Sequence, residues 1–515
     1  MPNVMNAADA VLMPAIGMGL GQKTALLWRD RAISYSDLLA RVCQAAHLFA
    51  ARGLKPDDRV VLLLRDSPDF VACYLGAIKA GGVAVAVNLR CSGDDLAHVL
   101  DDSAARILVV DRSLRPIYEK AAPAGRDDLI VLETDADTTG PTPLRDELDA
   151  QDGWFPSVER ETGDMAFWIY TSGTTGTAKA AVHRQQDVLF ADGYAGRVLG
   201  VTSDDVLFAT SKLFFAYSLG TCLFASLQLG ATTVLYDEWP DAAAIADVLD
   251  RTRPTVVFSV PTMYRNMLGD GVSERPAFAK VRHFVSAGER MPAALWQRWH
   301  DATGVEILDG MGTSETIYML LTNWPGAVRP GTSGTASPEA EIRLADAEGG
   351  AVGADEPGIL WARIPSRCSQ YWNRPDVSAE VFRDGWFRTG DMYLIDDDGY
   401  WTHQGRHDDM LKISGQWVSP AEIEETVTAN TAVREAAVVD TETDDELVRT
   451  MLFAVGPAEG FDAAALEAEI RTAIVDRLSP YKCPKWIRFI DEIPRTATGK
   501  VQRFRLRAMT GQDGA

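Results

Sequence analysis

Cysteine is scarce in this 515-residue chain: there are 6, at Cys43, Cys73, Cys91, Cys222, Cys368 and Cys483, with no CxxC pair and no close histidine partner. That spacing argues against a disulfide framework or a zinc site and predicts reduced, mostly buried thiols, as in the cytoplasm. Basic residues are also short: 50 Lys+Arg stand against 73 Asp+Glu, a net charge of −23 at pH 7. The chain as a whole therefore repels a nucleic-acid backbone or an anionic membrane. A signal peptide is not expected, because the apolar stretch Val11 to Leu20 has no Lys or Arg before it and is interrupted by Gly17 and Gly19. The long uncharged run, residues 213–236, contains Tyr217, Ser218, Thr221, Ser226, Gln228, Thr232 and Thr233 and is split by Gly230. It predicts a buried helix stopped at Gly230 and then a strand over ATTVLY, not a membrane span. The expectation is a cytoplasmic protein with no nucleic-acid or membrane partner, for which a homodimer is one admissible assembly.

What is present is an ordinary globular composition, 46% apolar and 24% charged with 42 Gly and 25 Pro. The length asks for two to four domains. Near-continuous apolar strands alternate with helical stretches: RVVLLL (59–64), DFVACYLGAIKAG (69–81), VAVAV (83–87), DDLAHVLDDS (94–103) and ARILVVD (105–111). The pattern returns at TVVFSV (255–260) with a helix after Pro261, and at VRHFVSAG (281–288) with a helix after Pro292. It predicts an α/β fold with buried parallel sheets flanked by helices. Beyond about residue 330, short strands between Gly, Asp and Asn-rich turns predict an antiparallel sheet or small β-barrel subdomain. A last α+β unit begins at Asp408, with Ser419 as N-cap and Pro420 in the first turn of its first helix. The expected division is 1–407 and 408–515.

The densest chemistry lies in WIYTSGTTGTAKAAVH, residues 168–183. Gly173 and Gly176 permit positive φ, so that successive backbone N–H groups turn toward an anion. Thr171, Ser172, Thr174, Thr175 and Thr177 add hydroxyl donors, and Lys179 adds charge. The loop suits a polyphosphate, although no GK[ST] triplet makes it a P-loop.

Four further segments accompany it: SAGE (286–289), DGMGTSE (309–315), GWFRTGD (385–391) with GRHDDMLKISGQWVSPAEIE (405–424), and PRTATGK (494–500). In this order and spacing the set resembles the adenylate-forming superfamily of acyl-CoA ligases, luciferases and carrier-loading adenylation domains, over nearly the whole chain. The resemblance implies that a carboxylate and MgATP give an acyl-adenylate and pyrophosphate, and that a thiol then takes the acyl group. It assigns ATP binding to Thr171, Ser172, Gly173, Thr174, Thr175, Gly176 and Lys179, to Ser286, Ala287, Gly288 and Glu289, and to Asp309, Gly310, Met311, Gly312 and Thr313. Ser314 would face the α-phosphate and Glu315 would hold Mg²⁺, a hard cation that takes oxygen ligands. Asp391 would accept from the ribose hydroxyls with Arg406 nearby. Asp408 matches the hinge about which a mobile small domain turns between the two half-reactions.

Within the superfamily, KLFFAYSLG (212–220), VPTMYRNML (260–268) and DDMLKISGQWVSP (408–420) resemble the benzoate-CoA ligases and related aryl-CoA ligases. The acyl pocket implied is Ala216, Tyr217, Gly310, Ile317, Tyr318 and Met319, an apolar slot suited to a flat aromatic acid. Coenzyme A would meet Arg90, Gly415 and Lys485, and residues 471–515 hold ten Lys/Arg against four acids, a net of +6. Three departures stand out: Ala178 and Ala180 replace the usual Pro and Gly beside the loop lysine, Tyr318 replaces a usual His, and Ser218 replaces a usual Gly. Two neighbouring readings share these motifs, an enzyme that loads a carrier protein and an inactive adenylate-binding protein. The presence of Lys500, Glu315, Asp391 and Arg406 argues against the second.

Lys500 falls at the superfamily's catalytic lysine, which bridges carboxylate and α-phosphate oxygens. A preorganised charge of this kind is worth roughly a hundred- to a thousandfold in rate. Lys500→Ala is expected to nearly abolish acyl-adenylate formation while sparing thioester formation from supplied acyl-adenylate. Equal loss in the two half-reactions, assayed separately, would remove the assignment.

Overall fold

Two parallel sheets organise the first part of the chain. In the computed structural model, which describes residues 3–121, 128–172, 178–353, 356–407, 411–413, 416–442, 448–458, 460–478, 482–495 and 501–510, contacts divide the chain into two units. One is Met1–Ile342 with Ala362–Arg388, the other Arg343–Trp361 with Thr389–Ala515. Segments 343–361 and 389–407 thus group with the C-terminal part, where the change of texture in the sequence points to one cut at Asp408. Asp408 itself lies outside the described residues.

The first unit holds a seven-stranded sheet in the order Gln370–Tyr371, Ala178–Arg184, Met165–Ser172, Val83–Ala86, Arg59–Leu63, Ile107–Asp111, Ile130–Thr134. Its last five strands are parallel. The nine-stranded sheet runs Thr335–Ala336, Met319–Thr322, Ile307–Gly312, His283–Ser286, Val256–Ser259, Val206–Ala209, Thr232–Leu235, Thr24–Trp28, Arg31–Ser34. It is parallel from Ile307–Gly312 to Thr24–Trp28 and antiparallel at both ends. One apolar cluster draws on both sheets, with Val60, Val85 and Phe167 from the first and Leu26, Leu207 and Val285 from the second. Every strand of the β–α–β–α–β reading between 59 and 111 is present, and its first helix, Pro68–Lys79, is buried along its length. Ser67 caps that helix by accepting from the Phe70 amide at 3.3 Å, with Pro68 in the first turn.

The uncharged run 213–236 resolves as expected into helical turns, Ala216–Ser218, Leu219–Ala225 and Ser226–Gln228, then a turn at Gly230 with φ +76°, then the strand Thr232–Leu235. Leu219–Ala225 is π-helical, as is Asp192–Gly196, and the two segments touch. Among the described residues no helix is long and apolar enough to cross a membrane. All six cysteines are free, and Cys43, Cys73, Cys222 and Cys368 are buried.

The second unit contains the antiparallel ladder in which Asp391 faces Arg406 and Ile395 faces Trp401. It also contains a three-stranded sheet of Glu435–Glu442, Val448–Val455 and Trp486–Phe489. Helices Pro420–Asn430 and Ala463–Arg477 contribute Ile423, Val427, Ile470 and Ile474 to the core they share with Val438 and Leu452. Ser419 caps the first of these by accepting from the Glu422 amide, and the Glu422 carboxylate is taken by Lys482 at 2.6 Å.

A second apolar cluster in the first unit centres on Trp299, fully buried, with ring centroids 4.7 Å from Tyr264, 4.8 Å from Phe284 and 5.9 Å from Phe278. Trp299→Ala is expected to destabilise the unit by about 3–5 kcal/mol, measured by denaturant unfolding. A loss under about 1 kcal/mol would mean that the surrounding rings close over the gap.

Candidate active site

The segment expected to hold polyphosphate joins two strands that pair antiparallel. Strands Met165–Ser172 and Ala178–Arg184 pair with Ser172 opposite Ala178, Thr171 opposite Lys179 and Tyr170 opposite Ala180. Gly173, Thr174, Thr175 and Gly176 lie outside the described residues. The two alanines continue regular pairing: the Ala178 carbonyl meets His98 Nε2 at 2.9 Å, and the Ala180 carbonyl accepts from the Trp372 amide at 2.9 Å. Ala180 is fully buried, so its methyl group is part of the core.

Lys179, on the second of these strands, holds its ammonium 3.8 Å from the centroid of the Tyr371 ring, within cation–π range. The phenol of Tyr371 donates to Glu315 Oε1 at 2.6 Å, and both residues are buried. One side chain, unflagged by any local motif, therefore touches both the expected phosphate lysine and the expected metal carboxylate. Among the described residues no group is recorded on Glu315 Oε2. No cluster of three or more His, Cys, Asp or Glu occurs among them either. A single carboxylate fits Mg²⁺, which keeps most of its shell as water and substrate phosphate oxygens.

The backbone carrying Glu315 is held at three successive carbonyls. Ser314 O meets His183 Nε2 at 2.8 Å, Glu315 O accepts from the Cys368 amide at 2.7 Å, and Thr316 O accepts from Ser366 Oγ at 2.7 Å. His183 is fully buried, stacks on Phe167 at 4.7 Å and meets Asp187 at 3.2 Å through Nδ1. Immediately after this clamp Ile317 takes φ +58°, a left-handed conformation that a β-branched residue adopts only under constraint. Its carbonyl lies where a Cβ on Gly220 would be 2.7 Å away, so only glycine fits at 220.

Strands His283–Ser286 and Ile307–Gly312 bring Ser286 level with Asp309. Ser286 Oγ and Asp309 Oδ1 are buried and neither has a hydrogen-bond partner among the described residues. Burial drives the Asp309 carboxyl well above the usual range, against the opposing pull of Ser286, Arg290 and the Gly310 amide. Just beyond, Glu289 accepts from the Thr262 amide and hydroxyl at 3.2 and 2.8 Å. Met311, Gly312 and Thr313 follow Asp309 and Gly310, with the Thr313 amide bonded to Thr316 Oγ1 at 3.2 Å.

The expected acyl residues Ala216, Ile317, Tyr318 and Met319 fall in one buried cluster, and Tyr217 packs on it. Tyr217 OH donates to the Val285 carbonyl at 3.1 Å. Two departures noted in the sequence turn out to be committed to backbone: Tyr318 OH donates to Val188 O at 3.2 Å, and Ser218 Oγ to Ser211 O at 2.9 Å. Neither hydroxyl is available to a ligand as donor.

In the second unit, Asp391 Oδ2 accepts from Arg406 Nη1 at 2.9 Å while Oδ1 meets His403 Nε2 at 3.3 Å. The cross-strand register of Asp391 and Arg406 produces the pair. His403 is an addition that no motif signalled. Lys500, Gly415 and Asp408 lie outside the described residues. Of the expected coenzyme A contacts, Arg90 is exposed and stacks at 4.0 Å on Trp239, and Lys485 is exposed. Much of the basic tail is already neutralised: Arg471 pairs with Glu467, Lys482 with Glu422, Arg495 with Glu435, Arg503 with Glu424 and Arg507 with Asp440.

Tyr371→Phe keeps the ring beneath Lys179 and removes the hydrogen bond to Glu315. A bond to a buried charge at this strength predicts a roughly ten- to a hundredfold slower acyl-adenylate formation, with thioester formation from supplied acyl-adenylate unchanged. An unaltered first half-reaction in single-turnover assays would show that Glu315 needs no such anchor.

The comparisons with known proteins agree with this geometry. The pattern of the AMP-binding enzyme family matches residues 18–372, and that of the AMP-binding enzyme C-terminal domain matches residues 422–500. The chain is 43% identical over 506 residues to the 3-hydroxybenzoate–CoA ligase of Aromatoleum sp. (strain CIB), covering 98% of this chain and 97% of that one. It is 39% identical to the benzoate–CoA ligase of Thauera aromatica, over 98% and 96% of the two chains. A crystal structure of a benzoate CoA ligase from Burkholderia xenovorans LB400 superposes with TM-score 0.88 at 35% identity, covering 98% of this chain and all of that one, 100%. A second, of the anthranilate CoA ligase AuaEII in complex with anthranoyl-AMP, gives 0.89 at 32% identity over 99% and 98%. Motifs, fold and comparisons converge: the chain is a member of the AMP-binding enzyme family of adenylate-forming enzymes.

Proposed function

We propose that this protein joins a benzoate-like carboxylic acid to coenzyme A at the expense of ATP, through a bound acyl-adenylate. A carboxylate oxygen attacks the α-phosphorus and pyrophosphate leaves. The sulfur of coenzyme A then attacks the acyl carbon, AMP leaves, and the thiol proton is released. The observation that carries the reading is the Lys179–Tyr371–Glu315 contact, an ammonium and a carboxylate fixed by one buried phenol.

In this reading Lys179 and residues 173–176 neutralise the β- and γ-phosphates, and Ser314 faces the α-phosphate. Mg²⁺ held at Glu315 would offset the charge that builds on the leaving pyrophosphate. The ribose hydroxyls donate to Asp391, whose carboxylate is already oriented by Arg406 and His403. Asp309 and Ser286, buried with open polar atoms, belong to the nucleotide side of the site. Lys500 supplies the charge that pulls carboxylate and α-phosphate together. Asp408 is the pivot that exchanges Lys500 for the thiol-delivering face, on which Gly415 lets pantetheine pass close to backbone. An aromatic acid is favoured by the relatives' activities and by the apolar surround of Ala216, Tyr217, Ile317 and Met319.

The test is pyrophosphate release across a panel of aryl, alicyclic and short aliphatic acids, followed by thioester formation with coenzyme A and, separately, with a phosphopantetheinylated carrier protein. Turnover of an aryl acid with coenzyme A is expected. Silence toward every small carboxylate would overturn the proposal, and transfer to the carrier protein alone would replace its second half.

A further inference from the structure

At the carboxyl ends of three strands, the loops that follow bury a cluster of charges. Arg59–Leu63 of the seven-stranded sheet leads to Arg65 and Asp66, while Val206–Ala209 and Thr232–Leu235 of the nine-stranded sheet lead to Lys212 and to Asp237 and Glu238. Asp66 is 5% exposed and Lys212 1%, and each lies in electrostatic reach of the other and of Asp237. Asp237 is paired with Arg29 at 2.6 Å, and Arg65 takes Glu238 at 2.8 Å, Asp137 at 2.8 Å and Asp111 at 3.4 Å. In open α/β sheets ligands gather beyond the carboxyl ends of the strands, and Asp66 and Lys212 stand at that end of both sheets.

Lys212 opens the segment that carries Ala216 and Tyr217, two residues expected to face the acid. Residues 211–218 are closed on themselves: the Phe215 amide donates to Lys212 O at 3.0 Å, and Ser218 Oγ donates to Ser211 O at 2.9 Å. The entry to the segment therefore governs where the whole of it sits. Two contacts fix that entry. The Leu213 amide donates to Asp66 Oδ1 at 3.1 Å, and the Lys212 ammonium donates to the Tyr236 carbonyl. One tether leads to the seven-stranded sheet and the other to a strand end of the nine-stranded sheet.

Buried opposite charges contribute little to stability, because desolvation offsets their attraction and apolar side chains of similar volume often do as well. What such charges do supply is a defined place for the backbone groups bonded to them. We propose that Asp66 and Lys212 are positioning residues of the acyl segment, whose opposed charges fix where Phe215, Ala216 and Tyr217 meet the carboxylic acid. The proposal rests on the aryl-CoA ligase reading above. Burial pushes the Asp66 carboxyl up to about 6, with Lys212 and the Leu213 amide opposing the shift and Asp237 adding to it. Cys222, from the helical turns that follow, also faces Asp66, and burial pushes its thiol up to about 12, so that it stays neutral. Lowering the pH through about 6 therefore neutralises Asp66 and weakens its hold on the Leu213 amide.

The experiment measures KM for an aryl acid and KM for ATP separately, by pyrophosphate release. It uses the native protein, Asp66→Asn, and the paired variant Asp66→Asn with Lys212→Met, which leaves no lone buried charge. Both variants are expected to raise KM for the acid about tenfold and to leave KM for ATP within about twofold, with kcat little changed. A retained KM for ATP also reports that the variant is folded. Between about pH 7.5 and about pH 5.5, KM for the acid is expected to rise about threefold in the native protein, and this rise is absent in Asp66→Asn. Equal rises in KM for acid and ATP, or loss of all activity in both variants, would assign the pair a purely structural part and overturn the proposal. So would an unchanged KM for the acid, or a pH response that Asp66→Asn retains. No release with any aryl acid in the native protein would instead bring down the parent reading, and this proposal with it.

Discussion

The carbonyls of Ser314, Glu315 and Thr316 are the constraint around which the first unit is arranged. Peptide oxygens removed from water need donors, and here the donors come from an imidazole, a backbone amide and a serine hydroxyl at 183, 368 and 366. Meeting all three fixes the turn in space before any ligand arrives. The Glu315 side chain can then leave the turn in one direction, toward Tyr371. The left-handed Ile317 is the strain this demands, and the glycine at 220 is the space it demands. Remove the clamp and the turn has no reason to keep an isoleucine in that conformation.

The electrostatics are organised by the same economy. A chain of net charge −23 that handles a nucleoside triphosphate has to place its few cations with care. Lys179 is held against the aromatic face of Tyr371. In the second unit the opposite holds, since several basic side chains of the tail are matched by acids on neighbouring helices and strands. The positive count read from the last residues of the sequence therefore overstates the field a phosphate group would feel there. Of the expected coenzyme A contacts in this part of the chain, Lys485 is exposed.

What could be read from the sequence was whatever is local. Strand and helix alternation, the helices that follow Pro261 and Pro292, the cap at Ser419 with Pro420 and the stop at Gly230 all depend on neighbours a few residues apart. His183, Ser366, Cys368 and Tyr371 were illegible for the opposite reason. Each acts on residue 314, 315 or 316 across a gap of 50 to 131 residues, and even for His183, which closes the 168–183 segment, nothing nearby in sequence announces the partner. Tyr318 and Ser218 were visible as departures, but their direction was not, because which acceptor a hydroxyl finds is settled by packing. The two π-turns leave no periodic trace, since one inserted residue shifts a helical pattern without breaking it.

Gly310 carries a last consequence. A Cβ there would stand 2.7 Å from the Leu321 carbonyl, so this one position of the strand Ile307–Gly312 is closed to any side chain. Its neighbour Asp309 points to the opposite face of the same strand and lies level with Ser286 across the sheet. Descendants of this chain that drift toward new acids thus have little freedom along Ile307–Gly312. Variation is absorbed more readily in the helical segments Asp192–Gly196 and Leu219–Ala225, where irregular turns can take an altered side chain without disturbing the sheet.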